Sequence, residues 1–104
     1  MTCPSAKRFR ELVNMSPAEI RRWAKDPRAK RFSYPSTRAR LPALAALRAK
    51  PVERWTDRDC AFARRVASFN ARMKGALERD GCTQGYAVSL RNWGHAPKRC
   101  RVVR

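Results

Sequence analysis

Apolar positions recur with a helical period in three places along this chain. The first is MSPAEIRRW, residues 15–23. Ser16 can cap a helix, Pro17 suits its first position, Glu19 can reach back to the cap, and Met15 and Ile20 occupy the hydrophobic-staple positions. Ile20 and Trp23 then form a buried side that leaves Arg21, Arg22 and Lys25 outward, and Asp26-Pro27 stops the helix. LPALAALRAK, residues 41–50, is rich in Ala and Leu and ends at Pro51, which predicts a second helix with Leu44 and Leu47 inward. The longest helix follows Thr56, a cap, with Asp57 and Asp59 in its first turn where the helix dipole favours acids. Phe62, Val66, Phe69, Met73 and Leu77 step along it by four, three, four and four, and Asp80-Gly81 closes it.

The remaining segments read less sharply. Residues 27–40, PRAKRFSYPSTRAR, hold two prolines and no clean period, so an ordered loop is expected. Beyond Gly81, Tyr86, Leu90 and Trp93 are spaced for a short helix ending at Gly94, although YAVSL also suits a strand. The terminal KRCRVVR has four basic residues in seven and reads as an arm that orders on a partner. The expected architecture is all-α: one small bundle of four to five short helices over residues 9–97, with a basic loop and basic arms at 1–8 and 98–104.

Charge changes the picture more than length does. The 104 residues carry 25 Lys and Arg, nineteen of them Arg, against eight Asp and Glu, a net charge of +17. A hydrophobic content of 43% with four Phe, three Trp and two Tyr supports one core and excludes a disordered basic tail. Such an excess of charge calls for a polyanion, with nucleic acid the usual partner, DNA favoured over RNA, and acidic protein surfaces the next choice. Arginine adds a planar fork that grips phosphate in two places.

The candidate binding residues form three groups. Arg21, Arg22, Lys25, Arg28, Lys30, Arg31, Arg38 and Arg40 face only Asp26 in their segment, with Phe32 and Tyr34 interleaved. Those rings either stack a base or pin the loop to the core. Arg58, Arg65, Arg72 and Arg79 repeat every seven residues along one flank of the long helix, either tracking a phosphate backbone or covering the core edge with solvated heads. Lys98, Arg99 and Arg101 belong to the tail.

Other chemistries find little support. One histidine, no glycine-rich phosphate loop and no nucleophile motif argue against an enzyme, and Asp57 and Asp59 are explained by capping. No cofactor is expected. Cys3, Cys60, Cys82 and Cys100 are scattered and read most simply as free thiols. Zinc has only Cys82, His95 and Cys100 as weak candidates, and a Cys82–Cys100 disulfide is the other alternative. The first thirteen residues lack an apolar run and no stretch approaches a membrane span, so the expectation is an intracellular protein of nucleoid, nucleus or virus particle, with no membrane partner.

LVNMSPAEIRRW, WTDRDCAFARRV and YAVSLRNWGHAPKR, in that order over roughly residues 9–98, resemble a small domain-of-unknown-function family of bacteria and fungi. Its members carry VNM(S/T)P, then TDDD before a long helix, then YSLMNWGHDP, and are often described as DNA-binding. The resemblance implies a compact helical domain. It covers Val13 to Pro17, Glu19 and Trp23, then Thr56, Asp57 and Asp59, then Tyr86, Ser89, Leu90, Asn92 to His95 and Pro97. Asn92 and His95, flanking Trp93-Gly94, are expected to form a hydrogen-bonded corner that fastens the tail to the domain. The chain departs from the family in KDPRAKRFSYPSTRAR, where members carry acidic residues, and in Ala96, which replaces the last acid of NWGHDP. The heavy positive charge is therefore this protein's own.

The expected function is non-catalytic, largely sequence-independent nucleic-acid binding through the arginine-rich surface. The alternative is a small structural component of a large assembly, such as a virus particle or ribosome-like complex, with Trp23, Trp55 and Trp93 anchoring interfaces.

Overall fold

Two capping boxes frame the fold. Ser16 Oγ accepts from the Glu19 backbone N–H at 3.1 Å while Glu19 returns a carboxylate to the Ser16 N–H at 3.0 Å. Thr56 and Asp59 repeat the exchange at 3.2 and 2.9 Å. In the computed structural model, which describes residues 3–32 and 34–103, these boxes open two of six helices. Met1, Thr2, Ser33 and Arg104 lie outside the described residues, and with them the extreme ends of both expected arms.

The helices are α1 (Ser5–Leu12), α2 (Pro17–Ala24), α3 (Pro35–Arg38), α4 (Leu41–Ala49), α5 (Asp57–Asp80) and α6 (Gln84–Arg91), with 3₁₀ turns at Pro27–Lys30 and Val52–Arg54. No strand occurs among the described residues, so the domain is all-α, and YAVSL belongs to α6. Five helices have eight residues or more; α3 is a single turn. The segment expected as a loop thus holds two short helical pieces, each begun by a proline at its first position, Pro27 and Pro35. No described helix is long and apolar enough to cross a membrane.

α1 packs along α5, and α2 against α4. At 1.5 Å per residue the 24 residues of α5 span about 36 Å, most of the 41 Å long dimension of the domain. Phe9, Val13, Met15, Ile20, Trp23, Leu41, Leu44, Val66 and Val88 fill the core between these layers. Phe9 meets Trp55 edge-on, ring centroids 5.4 Å apart.

Four expectations are corrected. Residues 1–8 were expected to be an arm separate from a domain starting at 9, but α1 begins at Ser5 and buries Ala6 and Phe9. Ala6, Phe9 and Val13 are spaced three and four apart, so the helix has an inward stripe. On α5 the fully buried residues are Ala63, Val66, Ala67 and Asn70, while Phe62, Phe69, Met73 and Leu77 are only partly covered. At 100° per residue the buried face is turned roughly 70° from the predicted stripe. Small side chains let α1 approach closely, and the bulky ones flank the seam.

The cysteines are not free thiols. Cys3 is bonded to Cys60, with Cα atoms 6.0 Å apart, and Cys82 to Cys100, with Cα atoms 5.4 Å apart. The C-terminal segment 98–103 is accordingly no loose arm. Cys100 is buried, Gln84 donates to the Arg101 carbonyl at 2.9 Å and accepts from the Val103 N–H at 2.8 Å, and Arg28 donates to the Val102 carbonyl at 3.2 Å.

Candidate nucleic-acid interface

The polar corner expected around Asn92 and His95 is present, and it joins both ends of the chain. The Asn92 carboxamide accepts from the Trp23 indole N–H at 2.8 Å and donates to the Ala29 carbonyl at 3.3 Å. His95 Nδ1 lies 2.6 Å from the Leu12 carbonyl, which can only accept, so the ring proton sits on Nδ1. Burial pushes the His95 pKa down, the Leu12 hydrogen bond opposes this, and nearby Lys74 adds to the lowering. Asn14 pairs with the Ala96 backbone in both directions, at 2.9 and 2.7 Å, and the Met15 N–H donates to the Gly94 carbonyl at 3.2 Å. Asn70 donates to the Trp93 carbonyl at 2.9 Å. The VNM and NWGHAP segments are therefore one structural unit.

That corner places Trp93 on the edge of the core, stacked on Phe69 of α5 with centroids 4.5 Å apart and planes 25° apart. The Arg40 guanidinium carbon lies 5.6 Å from the Trp93 ring centroid. Phe69, Met73, Trp93, Ser89 and Asn92 border an open groove of about 300 Å³ whose remaining wall is Phe32, Tyr34 and Thr37. These two rings do not pin the loop to the core. Phe32 is 64% exposed and Tyr34 78%, the largest aromatic exposures among the described residues. Phe32 also has φ +55°, the only non-glycine residue in the left-handed region among those described. Its ring lies beside Gly85, where even an added Cβ would stand at an ordinary contact distance of 3.8 Å.

No Lys or Arg among the described residues lines this groove, but three arginines adjoin residues that do: Arg40 beside Trp93, and Arg65 and Arg72 beside Phe69. Arg65 and Arg72 stand one turn before and one turn after Phe69 on α5, at the i−4 and i+3 positions that share a helix face. With Arg58 and Arg79, on the same flank by their seven-residue spacing, they are exposed. Arg38 is half-buried beside Thr37, and its Nε has no hydrogen-bond partner. Arg21, Arg22, Lys25 and Lys30 are exposed. Arg31 is exposed too and donates to the Val103 carbonyl at 3.2 Å.

Some named residues are committed elsewhere. Arg28 pairs with Asp26 at 2.7 Å and lies 5.8 Å from the Trp23 ring centroid, so it is an internal strut. The same hydrogen bonds hold the Asp26 carboxyl below its ordinary pKa. Arg91, which sequence reasoning did not single out, also lies over Trp23 at 5.4 Å, and burial together with nearby Arg28 lowers its pKa. Trp23, Trp55 and Trp93 are all buried, and of the three only Trp93 borders the groove. Lys98 and Arg99 are exposed beside a separate cleft of about 600 Å³ that also holds Glu11, Lys74, Glu78 and His95. Arg101 is exposed, with its carbonyl taken by Gln84.

The weak metal candidates do not converge. Cys82 and Cys100 are bonded to each other and His95 is turned to Leu12, and no cluster of three or more metal-ligating side chains occurs among the described residues.

Compared with protein-family models, with curated proteins and with solved structures, the chain matches none. The motif resemblance thus rests on its residues alone.

Proposed function

We propose that this is a non-catalytic nucleic-acid-binding protein that neutralises phosphates with α2, the Pro27–Arg40 segment and the outer flank of α5, largely without regard to sequence. One observation carries the reading. Against 25 basic residues, only three ion pairs occur among the described residues, Arg28–Asp26, Lys50–Asp59 and the long Arg79–Asp80 contact of 3.9 Å. The charge is not neutralised from within, and a polyanion supplies what the eight acids cannot. DNA is the favoured form, and phosphate contacts position the protein without reading bases. Two disulfides persist in oxidising surroundings, so the reading requires no reducing interior.

The test is duplex DNA affinity as a function of salt. With about eight phosphates engaged, log affinity falls against log salt with a slope near −7. A salt-insensitive affinity would sink the proposal.

A further inference from the structure

We infer that the groove between Phe32 and Tyr34 on one side and Trp93 on the other is a base pocket, and that it takes an unstacked nucleobase from single-stranded DNA whose phosphates lie on the neighbouring arginines. The inference rests on the nucleic-acid reading above and specifies which form of nucleic acid this site recognises.

Three independent features point to it. Large aromatic side chains normally bury themselves, yet Phe32 and Tyr34 are held open in a domain that buries its other large rings wholly or in part. The backbone at Phe32 adopts φ +55°, which a bulky residue rarely does, and strain of this kind concentrates at ligand sites. The opposite wall is firm, because Trp93 is stacked on Phe69 and tied through its carbonyl to Asn70. A volume of about 300 Å³ is at the small end of ligand pockets and suits a single planar ring system.

Charge decides which planar molecule. Arg40 borders Trp93, and Arg65 and Arg72 flank Phe69 along α5. Arg38 Nε lacks an acceptor. An apolar slot with neighbouring arginines matches a base joined to a phosphate backbone. In a duplex the faces of the bases are covered by their neighbours, so the slot is filled only by a base that has left the stack. The pocket offers a 2′-hydroxyl little, since the Asn92 amide is spent on Trp23 and Ala29 and only the Thr37 and Ser89 hydroxyls remain beside aromatic and thioether walls. The deoxyribose strand loses nothing there, so the slot does not depend on RNA and a DNA strand satisfies it.

The experiment is fluorescence anisotropy on the full, disulfide-intact chain with a labelled 12-nucleotide DNA strand, the corresponding duplex and an RNA of the same sequence. The wild-type protein should bind the single DNA strand at least about tenfold more tightly than the duplex, and RNA no more tightly than the DNA strand. Phe32→Ala with Tyr34→Ala should abolish that preference while leaving duplex affinity and its salt slope unchanged. Phe32→Trp, which keeps a ring, should retain the preference. Both side chains are exposed, and an unchanged thermal melt shows that the double variant is folded. Equal binding of strand and duplex by the wild type, or a preference that survives in the double variant, overturns the pocket while leaving salt-dependent binding intact. RNA bound tenfold more tightly than DNA overturns the choice of strand. Binding to none of the three probes overturns the nucleic-acid reading itself.

Discussion

Alanine at Gly94 should be more damaging than alanine at either Gly81 or Gly75, for reasons that differ at each position. Gly94 has φ +85°, and a Cβ there would lie 2.8 Å from Val13 Cγ1 and 3.1 Å from Leu44 Cδ2. The left-handed backbone costs an L-residue about 1–2 kcal/mol. Val13 is β-branched and fully buried, so relieving the contact means moving packed side chains at the α1–α4 junction, which costs a further ~1–3 kcal/mol. The expected loss for Gly94→Ala is therefore about 2–5 kcal/mol. Gly81 shares the positive φ, +91° with ψ 171°, but a Cβ there meets nothing within 4 Å. Gly81→Ala thus exposes the backbone cost alone, ~1–3 kcal/mol. Gly75 lies within α5 with open space around it, so Gly75→Ala should stabilise by ~0.5–1 kcal/mol through helix propensity. Urea denaturation followed by far-UV circular dichroism, with disulfides intact, ranks the three. If Gly94→Ala proves no worse than Gly81→Ala, the tight seating of the NWGHAP corner on Val13 and Leu44 is wrong.

Three further outcomes follow from other parts of the molecule. Thiol titration of the denatured, unreduced protein should find no free cysteine, and Cys3→Ser with Cys60→Ser should cost ~4 kcal/mol against ~3 kcal/mol for Cys82→Ser with Cys100→Ser, since the bridged residues are 57 and 18 apart; four titrating thiols would refute the pairing. Stability should fall as pH drops below 6.5, because the unfolded chain protonates His95 while burial keeps the folded ring neutral. A second decline belongs below about 4.5, where Glu19, held down by the Ser16 N–H, Asp26 by Arg28 and Asp59 by Lys50 take up protons more readily unfolded than folded. His95→Gln should remove the first decline and keep the second, as read from urea midpoints across pH. Arg65→Ala and Arg72→Ala should each make the duplex salt slope shallower by about 1, whereas Arg28→Ala should lower stability and leave the slope unchanged, because its guanidinium is spent on Asp26 and the Val102 carbonyl.

Local chemistry made most of the helices legible. Ser16–Glu19 and Thr56–Asp59 are boxes closed within four residues, so their geometry follows from the string of letters alone. α1 was obscured because its inward positions are Ala6 and Phe9, one small and one large, amid Lys7, Arg8, Arg10 and Glu11. Its packing on α5 also turned the face of the long helix, since a close helix pair seats Ala63 and Ala67 and leaves Phe69 and Met73 at the margin. The Cys82–Cys100 bridge was open as an alternative from sequence, whereas the Cys3–Cys60 bridge lay beyond reach for a related reason. Pairing Cys3 with Cys60 requires knowing that α1 exists and where it docks. The groove needed three distant segments, the Phe32–Tyr34 pair, α5 and the residue after Asn92, to be brought together by the tertiary fold. The interleaving of those two aromatics with arginines was its one local signal.

The same corner that orders the fold also builds the candidate site. Asn14 grips Ala96, Met15 grips Gly94 and His95 grips Leu12, so the chain leaves α6 along a single path. On that path Trp93 faces Phe69, and the groove inherits a rigid wall at no extra cost in ordered residues. Loosening the corner should therefore weaken a base pocket before it unfolds the domain, while the arginines on the outer flank of α5 continue to hold phosphate. The two properties are separable because they sit on different supports: charge on a helix surface that any solvated flank could carry, and the slot on contacts that only this corner provides.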